Sequence, residues 1–236
     1  MSTTDATETP VTPAEPQQPR HYGFSVLLSG FARMWRAWLP AIIVIVANAV
    51  AQALFVMTNP QVSWEPTFIL LLIGSILVFL VTGAVLTAGA FESVTQRVPV
   101  GLAFSRANRH FWLYSIWVIL QTVVVLIGTA FYRWPGVLLA WLTVFIPIAA
   151  IDGQRNALGA NFRAIWSHPF RWIITGIIIA VFLVFGFLFG ALNGFFIGGV
   201  VGSFVATLVA GFFAWWWLTA WACLYRSRRG APADQV

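Results

Sequence analysis

Lysine is absent, and acidic side chains number only 7 in 236 residues. Charged residues make up 8% of the chain, against about 25% in an ordinary soluble domain, which excludes a water-soluble globule. A single Cys excludes a disulfide framework. The sequence has no G-x-S-x-G, no H-E-x-x-H, no paired-aspartate motif and no P-loop, so the common arrangements for nucleophilic or metal-assisted chemistry are missing. Every Asp and Glu (Asp5, Glu8, Glu15, Glu65, Glu92, Asp152, Asp234) falls in a tail or at a loop. The ionisable groups that proton-coupled pumps carry at membrane depth are therefore lacking too. No catalytic residue, metal or cofactor is expected. The arginines are spread over four loops rather than gathered in one patch, so nucleic acid is not an expected partner.

What the chain does have is long apolar runs. Hydrophobic residues make up 60% of it, and a helix needs about 20 of them to cross roughly 30 Å of hydrocarbon. Five runs reach that length: Leu39 to Thr58, Phe68 to Phe91, Phe111 to Phe131, Trp172 to Leu192, and about Val200 to Leu224. A sixth, Gly136 to Ile151, is short, although Trp134 and Pro135 can open its first turn. The uncharged segment from Trp172 to Tyr225 is too long for one crossing and must fold back; Asn193-Gly194 is the expected turn. The reading is an all-α polytopic membrane protein with six transmembrane helices in three hairpins. Residues 1–19, rich in Thr, Pro and acidic side chains, are expected to form a disordered cytoplasmic tail; residues 20–226 form the transmembrane domain and 227–236 a basic C-terminal tail. The basic start of a secretory signal is missing.

The arginines orient the spans. Arg20, Arg33 and Arg36 precede the first; Arg97, Arg106 and Arg109 lie between the second and third; Arg155, Arg163 and Arg171 between the fourth and fifth; Arg226, Arg228 and Arg229 follow the sixth. Arg133 alone falls on the other side. Because Arg in short loops is retained in the cytoplasm, both termini are expected there, in a multi-pass protein of the cytoplasmic membrane. If the short fourth run did not cross, the last six arginines of this set would lie outside.

Two lead-in segments share the pattern F-x-R-x-x-R-x-aromatic: Phe31, Arg33, Arg36, Trp38 and Phe104, Arg106, Arg109, Phe111. A third, from Phe162 and Arg163 to Arg171 and Trp172, keeps the ingredients without the spacing. In the first, Phe24, Leu27, Leu28, Phe31, Trp35 and Trp38 share one helical stripe with Arg33 and Arg36 opposite. Short amphipathic helices are therefore expected at the interface before spans one, three and five. In them Arg33, Arg36, Arg106, Arg109, Arg163 and Arg171 would meet anionic lipid headgroups, at about 1 kcal/mol each. These segments, the three hairpins and the closing Leu224-Tyr225-Arg226 resemble a loose group of actinobacterial six-span membrane proteins. Some of that group are labelled as similar to the membrane domain of glycerophosphoryl diester phosphodiesterases. The resemblance implies no activity for the spans, because hydrolysis in such fusions resembles the work of a separate soluble barrel.

Four features remain. Gly186, Gly190, Gly194, Gly198 and Gly202 recur every fourth residue, so spans five and six are expected to pack closely through Gly186, Gly190, Gly198 and Gly202, or one half to join a second copy. Trp215, Trp216, Trp217, Trp221 and Tyr225 read as an aromatic belt beside the final arginines. Asn48 and Gln52, one turn apart, either face a solute or bond between helices. Glu92 is expected to pair with Arg97, and Asp152 to cap the segment containing Arg155. Function reads as a non-catalytic scaffold or accessory protein contacting membrane lipids and a protein partner. The alternative is a small transporter or permease subunit for an apolar or amphiphilic solute.

Overall fold

The computed structural model describes residues 23–58, 65–131 and 133–227. The expected N-terminal tail and nearly all of the C-terminal one lie outside these residues, as do Arg20, Arg228, Arg229 and the side chain of Phe24. Among the described residues the secondary structure is helical, with no strand, and six helical stretches are long and apolar enough to cross a membrane. They are Ser25–Met57, Pro66–Ser93, Val100–Phe131, Trp134–Ile151, Pro169–Gly190 and Gly199–Ser227.

The first stretch comprises α1 (Gly23–Met34), a 3-10 turn (Trp35–Ala37) and α2 (Trp38–Met57). Then follow α3 (Pro66–Ser93) and α4 (Val100–Phe131). No separate interfacial helix precedes the third span. With no proline between 100 and 131, the lead-in and the span form one 32-residue helix about 48 Å long, which exceeds the hydrocarbon thickness.

The fourth span is broken into α5 (Arg133–Leu142) and α6 (Ile146–Ile151). Pro147 is the local cause, since it cannot donate to Thr143 and its ring obstructs that carbonyl. Next come α7 (Ala157–Ser167), α8 (Pro169–Phe196) and α9 (Gly199–Ser227). The turn between the last two lies later than expected. Helix continues through Asn193 and Gly194 and reverses at Gly198 and Gly199, whose φ values of 55° and 56° suit glycine.

Helix α9 is central, packed by α1, α2, α3 and α8. This placement corrects the expected aromatic belt. Trp215, Trp221 and Tyr225 are almost wholly buried, because a helix surrounded by neighbours has no lipid face near its end. Trp215 meets Trp35 and Phe212, and Trp221 meets Phe145 edge to face. At the arginine-bearing end the lead-in segments carry exposed rings instead, among them Phe31, Trp35, Trp38, Trp112, Trp166 and Phe170.

The glycine series is also redrawn. A Cβ built at Gly186 or Gly190 meets nothing within 4 Å, so neither position brings two helices together. Gly198 serves the turn, and Gly202 is buried in the bundle. The close approach occurs at Gly30 of α1, where a Cβ would lie 2.7 Å from the Ala220 Cα of α9.

Candidate functional site

At the arginine-bearing end, four spans finish on side chains that meet one another. Glu92 closes α3, Asp152 follows α6, Tyr225 and Arg226 close α9, and Arg106 stands two turns into α4. The Arg106 guanidinium lies 2.9 Å from Glu92 and 4.0 Å from Asp152, and its Nε donates to the Ile151 carbonyl at 3.2 Å. Arg226 reaches the other Glu92 oxygen at 3.6 Å and donates to Thr95 Oγ1 at 2.9 Å. Tyr225 donates its hydroxyl to Asp152 at 3.1 Å.

Both carboxylates are nearly inaccessible, with side-chain exposures of 8% for Glu92 and 4% for Asp152. Phe91 is approached by both cations: the Arg226 guanidinium carbon sits 3.9 Å, and that of Arg106 5.0 Å, from its ring centroid. Such a network stays intact because every charge has an opposite partner and further hydrogen bonds.

Glu92 thus pairs with Arg106 and Arg226 rather than with exposed Arg97. The cap of α7 is Asn156, whose side chain accepts from the Gly159 amide at 2.8 Å, rather than Asp152. Neither long-range partner was visible in local spacing. The His110 ring lies beside Gly153, close to Asp152, yet among the described residues no three His, Cys, Asp or Glu side chains gather.

A second polar group repairs the break in span four. Asn161 of α7 is fully buried; its Oδ1 accepts from the Phe145 amide at 2.9 Å and its Nδ2 donates to the Leu142 carbonyl at 2.7 Å. The Thr143 carbonyl, which Pro147 deprives of its helical i+4 donor, accepts from the Ile146 amide at 3.0 Å and from Gln121 of α4 at 3.1 Å. Backbone away from water must be satisfied internally, and these two amides supply the missing partners. Sequence reasoning passed over Asn161; Pro147 within an apolar run was the available signal. Asn161→Ala is expected to orphan both groups, at about 1–3 kcal/mol each. Asn161→Asp, which turns a carboxylate oxygen rather than a donor toward the Leu142 carbonyl, should lose at least as much in thermal unfolding.

The remaining candidates are placed as follows. Gln52 bonds Asn48 at 3.4 Å and Ser75 of α3 at 3.2 Å, so the pair joins α2 to α3. Arg33 Nη1 lies 3.9 Å from the sulfur of Cys223, and Arg36 turns partly inward. Arg109 and Arg163 are exposed, with Arg163 Nε donating to the Gly159 carbonyl, whereas Arg171 is half-buried.

His168 caps the end of α7, and its Nε2 is buried without a hydrogen-bond partner. Burial, and then the Arg171 charge, hold this imidazole below the usual value of 6.5. A histidine depressed in the fold contributes full stability above its unfolded pKa and loses it as pH falls through that value. The thermal midpoint should therefore decline as the pH drops below about 6.5, and His168→Gln should remove part of that decline.

No protein-family model, curated protein or solved structure matches the chain. The chain is an integral membrane protein by its six apolar spans.

Proposed function

We propose that this protein is a non-catalytic scaffold or accessory protein of the cytoplasmic membrane, with both termini and the arginine-bearing end in the cytoplasm. Its working surface is the rim of exposed Arg109 and Arg163 with Trp112, Trp166, Phe31 and Trp38. The observation that carries this reading is a division of labour among charges. Glu92, Asp152, Arg106 and Arg226 neutralise one another inside the fold, whereas the outward guanidinium and indole groups suit anionic headgroups and the acyl boundary.

The mutual hydrogen bonding of Asn48, Gln52 and Ser75 favours this reading over solute transport through the first hairpin. In sealed vesicles the purified chain should pass no more amphiphilic solute than empty vesicles do. Extracted in mild detergent, it should carry a lipid shell enriched in anionic species, and Arg109→Gln with Arg163→Gln should reduce that enrichment. Solute flux together with a shell matching the bulk membrane would contradict the proposal.

A further inference from the structure

Each lead-in segment packs on the last span of the preceding hairpin: α4 on α3, α7 on α6, and α1 on α9, which closes the ring. The three junctions are chemically alike in layout and different in completion. At the α4–α3 junction Arg106 finds the Glu92 carboxylate at 2.9 Å. At the α7–α6 junction Asn161 finds the opened backbone of span four.

At the α1–α9 junction the residue facing the cations is Cys223, a buried thiol. Arg33 approaches its sulfur to 3.9 Å, and the Arg36 charge also reaches it. Arg36 Nη1 is wholly buried and meets no hydrogen-bond acceptor among the described residues. Glu92 and Asp152 are already engaged by Arg106, Arg226 and Tyr225. A cationic donor sealed away from water without an acceptor is costly, and guanidinium matches an oxyanion in shape and charge.

We propose that the α1–α9 junction is a specific site for the phosphodiester headgroup of an anionic lipid, held by Arg36 together with Arg33. The surroundings favour a lipid over a free anion. Leu28 and Phe31 of α1, Trp35 of the 3-10 turn and Trp38 at the start of α2 are exposed, and Trp35 and Phe31 lean on Trp215 and Trp216 of α9, forming an apolar bed for acyl chains beside the cations. The inference rests on the lipid-contacting role proposed above and narrows it to one bound molecule.

Native mass spectrometry of the full chain in mild detergent tests it, with short-chain phosphatidylglycerol, phosphatidylcholine and inorganic phosphate as probes. The native protein should retain one phosphatidylglycerol, at least tenfold more tightly than phosphatidylcholine, and Arg36→Gln should abolish that preference. Inorganic phosphate failing to displace the lipid supports a lipid site; phosphate binding in its place would overturn the assignment of a lipid as the occupant. Retention of none of the probes by the native protein would overturn the inference, as would equal retention by Arg36→Gln. Should Arg36→Gln not fold, Arg33→Gln is read in the same way. Arg109→Gln with Arg163→Gln should thin the lipid shell yet leave the single tight lipid, so the rim and the junction fail separately.

Discussion

Glu92→Ala should be the most damaging single substitution at the arginine-bearing end, lowering stability by about 3–5 kcal/mol. Its carboxylate is the shared partner of Arg106 and Arg226, and both guanidinium groups are less than one-third exposed. Removing it leaves two cations near the Phe91 ring without their shared carboxylate. Asp152, 4.0 Å from Arg106, compensates weakly. For a domain of this size the drop corresponds to a thermal midpoint lower by on the order of 10 °C. Replacing Glu92, Arg106 and Arg226 by Met together with Asp152 by Asn should recover much of the loss, because neutral packed groups substitute well for a buried ion network once no charge is left unpaired. A midpoint unchanged by Glu92→Ala would show that the network contributes nothing to holding α3, α4 and α9 together.

Gly30→Leu should rank second. The backbone of α1 approaches that of α9 so closely that a Cβ at Gly30 would lie 2.7 Å from the Ala220 Cα and 2.9 Å from its nitrogen. These are main-chain atoms of the central helix, so the side chain cannot be accommodated by a rotamer change and the helices must separate. Overpacking of this kind costs about 1–3 kcal/mol or more. Gly190→Leu, by contrast, enters open space and should stay within about 0.5 kcal/mol of the native protein. Thermal unfolding of the two variants side by side separates a close helix contact from a glycine that merely repeats in register. Equal losses would restore the packing role that the four-residue periodicity first suggests for Gly190.

The coarse architecture was legible because the bilayer imposes it. Run lengths gave six spans, and even the short fourth run proves long enough to be a candidate crossing, with Asp152 at its end 4.0 Å from Arg106 in the lead-in part of α4. What the sequence concealed depends on long-range geometry. The partners of Glu92 lie 14 and 134 residues away, beyond any local spacing rule. The belt at Trp215 to Tyr225 has the composition of an interface anchor, and only the central position of α9 turns it into core. Asn193-Gly194 would break a helix in water, but in an apolar setting helical hydrogen bonding persists until two consecutive glycines at 198 and 199 adopt positive φ. Asn161 escaped notice because its role exists only through the gap that Pro147 opens in another helix.

The most direct measurement is cysteine accessibility in right-side-out sealed vesicles, using Cys223→Ser protein with single cysteines at Asn108, Arg155 or Trp134. All three positions are exposed, the first two near the arginine-bearing end and the third at the start of span four. A membrane-impermeant maleimide should label position 134 at once, and positions 108 and 155 only after permeabilisation. Labelling of 108 or 155 in sealed vesicles, or placement of 134 in the same class as either, would contradict six crossings with the arginines held on one side.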